Sequence, residues 1–236
     1  MIKISKNAEW FVLPPGHTAS TPWKKVDSAF KRAIRSHLMH EQHGLCAYCM
    51  CELIEEKSRI EHFIPRSVKP ELTLDYNNLI LCCEGDCPET DEASDAGSAS
   101  DRRKGKCAHC CDNNKNNREL SVIPNPSKEG ENECLTQLAY TSDGLIYMPG
   151  EKRKAWKRDF DILNLNHPVL CALRRAAFRG MLKAATKRGI RWTADEIEKE
   201  IRRQIDPEQL TWEPFVGVIV YWLNRKLENA RQESEP

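Results

Sequence analysis

The stretch RIEHFIPRS, residues 59–67, places an acid and a base side by side, Glu61 and His62, in what reads as a short strand. Neighbouring side chains of a strand point to opposite faces of the sheet. Either one of the two side chains enters a site while the other supports it, or a bend in the strand brings both to one metal ion. The residues on either side of the stretch decide between these alternatives.

Cysteine clusters flank this stretch in the sequence. The chain has 236 residues and 11 cysteines, and nine of the cysteines lie between Cys46 and Cys111. Clustered cysteines in a reducing compartment are typical of metal ligands rather than of disulfides. The pair Cys46 and Cys49 has C-x-x-C spacing, and further clusters follow at residues 82–87 and 107–111. Tetrahedral zinc needs such clusters brought together, so we expect at least one structural zinc ion.

The composition is that of a folded protein without a strong bulk charge. Hydrophobic residues make up 40% of the chain, charged residues 30%, and the net charge is +1. The longest apolar run, residues 215–223, is far shorter than the ~18 residues that a membrane span requires. The N-terminus lacks the apolar core of a signal peptide. We therefore expect a cytoplasmic protein without a membrane partner.

Three regions can be distinguished along the chain. Residues 1–44 end in an amphipathic helix over about residues 23–43. Residues 45–125 hold the clustered cysteines and an acidic insertion, residues 84–101, which has seven acidic and no basic side chains and is expected to be a mobile loop. Residues 126–236 read as mainly helical, with periodic apolar residues over 168–188.

Helix signals divide the third region further. Gly189 is expected to end the helix over residues 168–188. The sequence Thr193-Ala-Asp-Glu196 matches a capping box and predicts a second helix to about Ile205. Pro214 precedes a third predicted helix with an apolar first half.

Read in chain order, the cysteines and the residues between them form a recognisable pattern. Glu61-His62, Asn77-Asn78-Leu79 and the run Asp112-Asn-Asn-Lys115 lie between or beside the clusters. The order C-x-x-C, E-H, N-L, C and C-D-x-x-K resembles the zinc-stapled form of the HNH, or ββα-metal, nuclease motif over about residues 45–118. The resemblance implies an α+β fold, in which a small zinc-stapled ββα-metal core has a flanking N-terminal helix and a helical C-terminal annex.

The resemblance also implies roles for individual residues. His62 takes the place of the general base, for which a side chain that titrates near neutral pH is suited. Glu61, where the family usually has Asp, and Asp112, where it has His or Asn, are implied ligands of a catalytic Mg²⁺ or Mn²⁺. Asn78 ties the loop between the strands and helps to orient the histidine. Other residues remain alternatives at the position of Asp112, namely Asn113, Asn114 and Asn117.

The structural zinc ligands are assigned by the same resemblance. The third cysteine follows the N-L by a fixed step and the fourth precedes the H/N position, which gives the set Cys46, Cys49, Cys83 and Cys111. His109 is an alternative ligand within its cluster. A second zinc ion that staples the ends of the acidic insertion is a hypothesis, with the ligands Cys82, Cys87, Cys107 and Cys110.

Several longer segments point to one branch of the HNH proteins. The segments CAYC, IEHFIP, CDNNK and the later DILNLNHP with an Arg-rich helix resemble the PtuB-like HNH proteins of retrons and of the Septu antiphage system, over most of residues 25–190. This resemblance implies a bacterial defence effector that works with a PtuA-like ATPase. A retron reverse transcriptase and its small DNA are implied as further partners.

The C-terminal region carries a local positive charge that the net charge conceals. Residues 151–191 contain 12 Lys and Arg against 3 Asp and Glu. Such an excess is suited to tracking a phosphate backbone, although for any one residue a solvated helix face is the alternative. The candidate nucleic-acid contacts are Lys115, Arg174, Arg175 and Arg179. The substrate stays open between DNA and a structured RNA such as tRNA.

Three classes of function compete on these observations. The first is a metal-dependent endonuclease that hydrolyses phosphodiester bonds, and the presence of His62, Glu61 and Asp112 favours it. The second is a zinc-binding adaptor with a decayed HNH core, which recruits nucleic acid or protein without cutting. The third is a thiol redox protein that acts through the C-x-x-C pair, which the later cysteine clusters disfavour.

Overall fold

A computed structural model describes residues 1–85 and 109–232 of the chain. It combines helices with two small antiparallel sheets, which confirms the predicted α+β class. In chain order the elements are helix α1 (Ser28–Glu41), strands β1 (Arg59–His62) and β2 (Leu79–Cys82), helix α2 (Cys111–Lys115), strands β3 (Ala139–Tyr140) and β4 (Ile146–Tyr147), and helices α3 (Arg153–Ile162), α4 (Pro168–Lys187), α5 (Ala194–Gln204) and α6 (Val216–Gln232).

The first sheet pairs β1 with β2, so that Glu61 lies opposite Ile80 and His62 opposite Leu79. All four residues of β2 are buried. Its outer edge is closed by the buried side chain of Gln42, which accepts from the Leu81 N–H at 2.7 Å and donates to the Leu81 carbonyl at 2.8 Å. A glutamine side chain thus satisfies the backbone groups that a further strand would pair.

Helix α1 is shorter than the predicted span of residues 23–43. It begins after Asp27, whose carboxylate accepts from the Phe30 N–H at 2.8 Å as an N-cap. The preceding Trp23–Lys25 forms a separate 3₁₀ turn. The cap fixes Asp27 in an extended conformation, and this interrupts the helical pattern that the sequence suggested.

Residues 84–85, which follow β2, lie against residues 110–113. Gly85 has a φ of +86°, and a Cβ added there would lie 2.7 Å from the carbonyl oxygen of Cys110. Across the same junction, the Asn113 side chain donates to the Glu84 carbonyl at 3.1 Å. This close approach brings the residues after β2 next to the start of α2. Of the predicted insertion, residues 86–101 lie outside the described residues.

The C-terminal region is mainly helical, as predicted, but also contains a hairpin. Helix α3 lies in the stretch read as helical without separate bounds, and α4, α5 and α6 agree with the expected helices to within a few residues. The hairpin β3–β4 was not predicted. The predicted capping box forms in part. The Thr193 hydroxyl accepts from the Glu196 N–H at 3.4 Å, but the Glu196 carboxylate accepts from the Arg191 N–H at 2.6 Å instead of from Thr193.

The main hydrophobic core draws on all three regions of the sequence. It includes Ile34 from α1, Leu81 from β2, and Leu165 and Val218 from the C-terminal region. A second, smaller core lies between α4, α5 and α6 and contains Met181, Ile197 and Leu223 among others. Among residues 1–85 and 109–232, no helix combines the length and apolar character that crossing a membrane would require.

Candidate functional site

Four cysteines from three separate elements converge in the core. Cys46 and Cys49 lie in a tight turn closed by the Met50 N–H, which donates to the Cys46 carbonyl at 3.0 Å. Cys83 directly follows β2, and Cys111 is the first residue of α2. All four are buried, and their sulfur atoms lie within 4.8 Å of one another.

The spacing of these sulfur atoms fits a tetrahedral metal ion. The Sγ atoms of Cys46 and Cys111 are 3.8 Å apart, and those of Cys49 and Cys83 are also 3.8 Å apart. Sulfur atoms bound to zinc at about 2.3 Å at the corners of a tetrahedron are separated by roughly 3.8 Å. The buried four-cysteine cluster could therefore hold a metal ion such as zinc, in agreement with the predicted ligand set.

Backbone groups point at the same sulfur atoms. The N–H of Cys83 donates to the Cys46 sulfur at 3.4 Å, and the N–H of Cys51 donates to the Cys49 sulfur at 3.5 Å. Such bonds stabilise negative charge on sulfur, as metal-bound thiolates require.

The predicted second zinc site lies only partly within the described residues. Cys82 is fully buried in β2, and the Cys110 thiol is 3.4 Å from the Gly85 carbonyl oxygen. Cys87 and Cys107 lie outside the described residues. Within the described ranges, the four cysteines above are the only group of three or more potential ligands that comes together. His109 is not in this group; its ring contacts the Asn113 amide at 2.8 Å.

A polar cleft of about 450 Å³ lies beside the sheet. Strand β1 contributes Glu61 and His62, and α2 contributes Asp112. The walls carry four basic side chains, which are Lys31 and Arg35 from α1, Arg59 from β1, and Arg66. The cleft therefore brings together three of the four predicted catalytic residues under a positively charged rim.

His62 is buried at 5% exposure and is held in one orientation. Its Nε2 lies 2.9 Å from the Thr73 carbonyl oxygen, which can only accept, so Nε2 carries the hydrogen and Nδ1 of the neutral ring is the acceptor. The indole of Trp23 stands edge-on to the ring at a centroid distance of 5.0 Å. Burial lowers the pKa of His62 to about 4, although the hydrogen bond to the Thr73 carbonyl acts to raise it. The ring is therefore neutral at pH 7.

Asn78, the fourth predicted catalytic residue, lies behind the histidine. Its side-chain oxygen accepts from the Ile64 N–H at 2.8 Å, and its amide donates to the carbonyls of Ile64 at 3.1 Å and Leu72 at 3.2 Å. These bonds tie two points of the loop between β1 and β2 to the residue that precedes β2. The same loop carries the Thr73 carbonyl, so the bonds of Asn78 brace the segment that contacts the His62 ring.

Glu61 and Asp112 bring two carboxylates together. Burial, and after it contact with the Asp112 carboxyl group, raise the pKa of Glu61 to about 8, while the Lys115 ammonium opposes the shift. The Lys115 Nζ lies 2.6 Å from Glu61 Oε1, and Arg59 lies 3.6 Å from Asp112. Two carboxyl groups in contact are suited to share a cation.

The donor set at this point fits a hard divalent cation. Mg²⁺ in nucleic-acid enzymes is commonly held by one or two carboxylates, with water and substrate phosphate completing its coordination. Glu61 and Asp112 supply two such carboxylates beside His62. Within the described residues, no third His, Cys, Asp or Glu joins them as a compact group.

Two predicted nucleic-acid contacts are buried instead of exposed. Lys115 has a side-chain exposure of 0% and forms an internal ion pair with Glu61. Its side chain therefore neither contacts a phosphate nor faces solvent, the two positions that were expected for it. Arg174 is 1% exposed, and its guanidinium donates to the carbonyls of Gly144 at 2.9 Å and Leu165 at 2.7 Å. Both cations face the interior because buried oxygen atoms there need donors.

Sequence reasoning did not find several residues that shape the cleft. Trp23, Lys31 and Arg35 precede the cysteine region and enter the cleft only because α1 packs against β2. The Nε of Arg35 is buried and makes no hydrogen bond. The Thr73 carbonyl belongs to the backbone, so no side-chain pattern could have indicated it.

Comparisons with known proteins relate part of this chain to a defence protein. No profile of a known protein family matches the chain. The chain is similar to the Septu protein PtuB of Bacillus thuringiensis, with 34% identity over 56 residues, which is 23% of this chain and 22% of that protein. The similarity thus spans about a fifth of the relative's length, and it supports a relationship to Septu-associated proteins.

Proposed function

We propose that the protein is a metal-dependent endonuclease of the HNH type that cleaves phosphodiester bonds in nucleic acid. The observation that carries the proposal is the convergence of a neutral, oriented histidine with two carboxylates in one basic cleft. Strand β1 and helix α2 line this cleft, β2 pairs with β1, and Cys111 of the four-cysteine cluster directly precedes Asp112. This agrees with the zinc-stapled ββα-metal core that the resemblance to HNH nucleases implies.

Each side chain of the cleft has a separate role in the proposed reaction. The Nδ1 of His62 accepts a proton from the attacking water, because Thr73 holds the other ring nitrogen as a donor. Lys115 fixes the Glu61 carboxylate from behind. Glu61 and Asp112 would hold Mg²⁺ or Mn²⁺, which when bound polarises the scissile phosphate and stabilises the leaving oxygen.

The basic side chains at the rim give the cleft its preference for a polyanion. Lys31, Arg35 and Arg66 line it beside the carboxylates, and Arg59 is half exposed. Cations placed around a recessed site attract nucleic acid and hold its backbone across the catalytic residues. Both DNA and a structured RNA such as tRNA carry the phosphates that this arrangement recognises.

The partial similarity to a Septu protein supports a place in antiphage defence. In this proposal the protein is the effector of a Septu or retron system and works with a PtuA-like ATPase. A retron reverse transcriptase and its small DNA are further proposed partners.

A second candidate is a zinc-binding adaptor that recruits nucleic acid or protein without cutting. One observation favours the adaptor. The Lys115 Nζ lies 2.6 Å from Glu61 Oε1, so an ion pair already occupies one of the two carboxylate oxygens. A carboxylate locked in this way can serve the fold alone. The oriented His62 has no task in such an adaptor, and for this reason the nuclease is preferred.

Replacement of the proposed base tests the nuclease directly. The protein and its ATPase partner are incubated with total cellular nucleic acid and Mg²⁺ or Mn²⁺, and new ends are sequenced. We expect His62→Ala to lose cleavage by about 10²–10⁴-fold while zinc content and melting temperature are retained. His40→Ala, at an exposed histidine of α1, is the matched control and should cut normally.

A further arm separates the base from the cation ligands. Glu61→Ala and Asp112→Ala should regain part of their activity at high Mg²⁺ or Mn²⁺, because a weakened site is refilled by mass action. His62→Ala should not recover in this way. Cleavage by His62→Ala at the wild-type rate would rule out the proposed mechanism.

A further inference from the structure

A pocket separate from the polar cleft lies between the end of α1, the segment before β1 and the connection from α5 to α6. Its volume is about 570 Å³, within the range of roughly 300–1,000 Å³ that ligand sites usually have. Two of its walls are joined by the Trp212 N–H, which donates to the His43 carbonyl at 3.0 Å. None of the residues that line it is an implied metal ligand or a proposed catalytic residue.

The side chain of Gln204, the last residue of α5, presents an acceptor that has no partner. Gln204 is 3% exposed and lines the pocket. Its Nε2 donates to Glu200 Oε1 at 2.8 Å. The carboxylate of Glu200 also accepts from Arg188 and Arg203, and an ionised carboxylate only accepts, so the amide cannot be reversed. The Oε1 of Gln204 is buried and has no hydrogen-bond partner among the described residues, which is costly unless a donor reaches it.

Other donors on the walls are already bonded to the protein. Arg203 donates to both carboxylate oxygens of Glu200, at 3.1 Å and 2.7 Å. The Trp212 indole donates to the Asp206 carbonyl at 2.9 Å. The donor that Gln204 lacks is therefore one that a bound molecule would supply.

The uncommitted charge of the pocket is negative. Glu52, Glu55 and Glu213 line it and are exposed. Within residues 1–85 and 109–232, none of these three carboxylates forms an ion pair or a side-chain hydrogen bond. The lining Arg203 is already paired with Glu200. Carboxylates without partners favour a positively charged ligand.

The acidic side chains are not arranged around a single metal ion. In the part of the chain that the structure describes, only the four-cysteine cluster brings three or more potential ligand atoms within 4.8 Å of one another. An extended cation with several donors suits separated acceptors better. The ring of Trp212 stacks on that of His43 at a centroid distance of 3.8 Å and adds an aromatic surface to the pocket. A guanidinium group has several N–H donors in one plane and stacks on aromatic rings, so it matches both features.

We propose that the pocket binds an arginine side chain on a segment of a partner protein. The guanidinium donates to the Gln204 oxygen and pairs with the carboxylates of Glu55 and Glu213. The volume of the pocket exceeds that of one side chain, so residues next to the arginine enter with it. This site is independent of the proposed nuclease activity.

Nuclear magnetic resonance of the full ¹⁵N-labelled chain tests this with a defined probe. The probe is the acetylated and amidated peptide Gly-Arg-Gly, and the reference peptides carry lysine or citrulline in place of arginine. Citrulline keeps the shape of arginine but has no charge. We expect the arginine peptide to shift the signals of the Trp212 indole and the Gln204 amide, the lysine peptide to bind more weakly, and the citrulline peptide to leave both signals unchanged.

Variants of the pocket separate specific binding from general attraction. The first variant is Glu55→Gln with Glu213→Gln, and its matched control is Glu56→Gln with Glu208→Gln, two exposed glutamates that do not line the pocket. The second variant, Gln204→Met, removes the unpartnered oxygen without a change of charge. We expect both variants to bind the arginine peptide about tenfold more weakly, and the control to change by less than about twofold. Thermal melting establishes that each variant is folded.

Several outcomes would overturn the proposal. Equal binding of the arginine peptide and either reference peptide would show that the guanidinium is not recognised, and equal losses in the glutamate variant and its control would indicate diffuse attraction. Tighter binding of spermidine than of the arginine peptide would assign the pocket to a small polyamine. A wild-type dimer in light scattering that the glutamate variant abolishes would assign it to a second copy of the chain.

The nuclease proposal fails or stands separately, because it is decided by cleavage in His62→Ala and not by peptide binding.

Discussion

Glu61 and His62 are an acid and a base next to each other in the chain, and their side chains have different surroundings. Glu61 and His62 are both buried at the end of β1, at 8% and 5% exposure. Glu61 meets Lys115 and Asp112, whereas His62 meets the Thr73 carbonyl and Trp23. Both line one cleft, so the site uses the two faces of a short strand end together. Burial keeps the histidine uncharged at pH 7 and raises the pKa of the glutamate to about 8.

The lowered pKa of His62 makes a prediction about acid stability. Between pH 6.5 and about 4 the unfolded chain binds a proton at this residue and the folded chain does not. The free energy of unfolding should therefore fall as the pH falls through this window, by up to roughly 3 kcal/mol from this group. Denaturant unfolding of the wild type and of His62→Gln at several pH values measures it. Parallel pH profiles for the two chains would contradict the expectation.

The buried ion pair makes a second prediction at the residue scale. Lys115→Met removes the ammonium that lies against the buried Glu61 carboxyl group. Because the pKa of Glu61 is already raised to about 8, the carboxyl group takes up a proton when the ammonium is lost, and no buried charge is left. We expect the free energy of unfolding to drop by about 1–3 kcal/mol, the usual cost of losing a buried hydrogen bond to a charged group. Lys128→Met is the control, because Lys128 forms an exposed pair with Glu131 and its loss should cost less than about 1 kcal/mol. Equal effects of the two substitutions would show that Lys115 has no special role.

At the scale of elements, α2 depends on its neighbours. It has five residues, too few for an isolated helix to be stable. The Cys111 N–H donates to the Leu163 carbonyl at 2.9 Å, and the Asn114 amide donates to the Ile162 carbonyl at 2.9 Å. The C-terminal end of α3 thus holds the helix that carries Asp112. Asp159 of α3, fully buried, likewise anchors the N–H groups of residues 121–123.

The metal cluster joins the same elements and yields a third prediction. Cys49→Ser should abolish metal retention and cooperative unfolding, because structural zinc contributes on the order of 10 kcal/mol to small domains. Cys134→Ser, at a cysteine outside the cluster, is the control. Elemental analysis with thermal melting provides the measurement. Normal melting of Cys49→Ser would mean that no structural metal is bound there.

The same elemental analysis decides the second zinc hypothesis. Two zinc ions per chain are expected if the cysteines of the insertion hold one, and Cys87→Ser with Cys107→Ser should then reduce the content to one. One zinc per wild-type chain would leave only the cluster of Cys46, Cys49, Cys83 and Cys111.

Residues 1–85 and 109–232 pack around one main core to which the N-terminal, cysteine-bearing and C-terminal regions all contribute. The cleft and the four-cysteine cluster therefore belong to one folded unit. Exposed apolar side chains remain on this unit, among them Leu210 at 70% and Ile54 at 56% exposure. Single exposed apolar side chains of this kind are ordinary on a folded protein.

A prediction about assembly belongs at this scale. We expect the chain to form a stoichiometric complex with a PtuA-like ATPase encoded beside it, and to cut poorly or without control when alone. Co-expression followed by size-exclusion chromatography with light scattering measures the complex. His62→Ala should assemble normally, since the base takes part in chemistry and not in docking. Separate elution of the two proteins at micromolar concentration would refute the partnership.

The sequence predicted three of the C-terminal helices, because helical periodicity and capping residues are local features. The α+β class and the four-cysteine set came from its resemblance to the HNH nucleases. The sequence also singled out Glu61, His62, Asn78 and Asp112, and the structure brings the first two and Asp112 to one cleft while Asn78 braces the loop behind. Their catalytic roles stay predictions.

Only the tertiary structure decided which cations are exposed to solvent and which face the interior. Lys115 and Arg174 resemble their exposed neighbours in sequence, yet both are buried because a carboxylate and backbone carbonyls from distant segments need donors there. Trp23, Arg35 and the Thr73 carbonyl reach the cleft through packing of elements far apart in the chain. Burial and long-range pairing depend on how the elements meet, and no local pattern of residues records that.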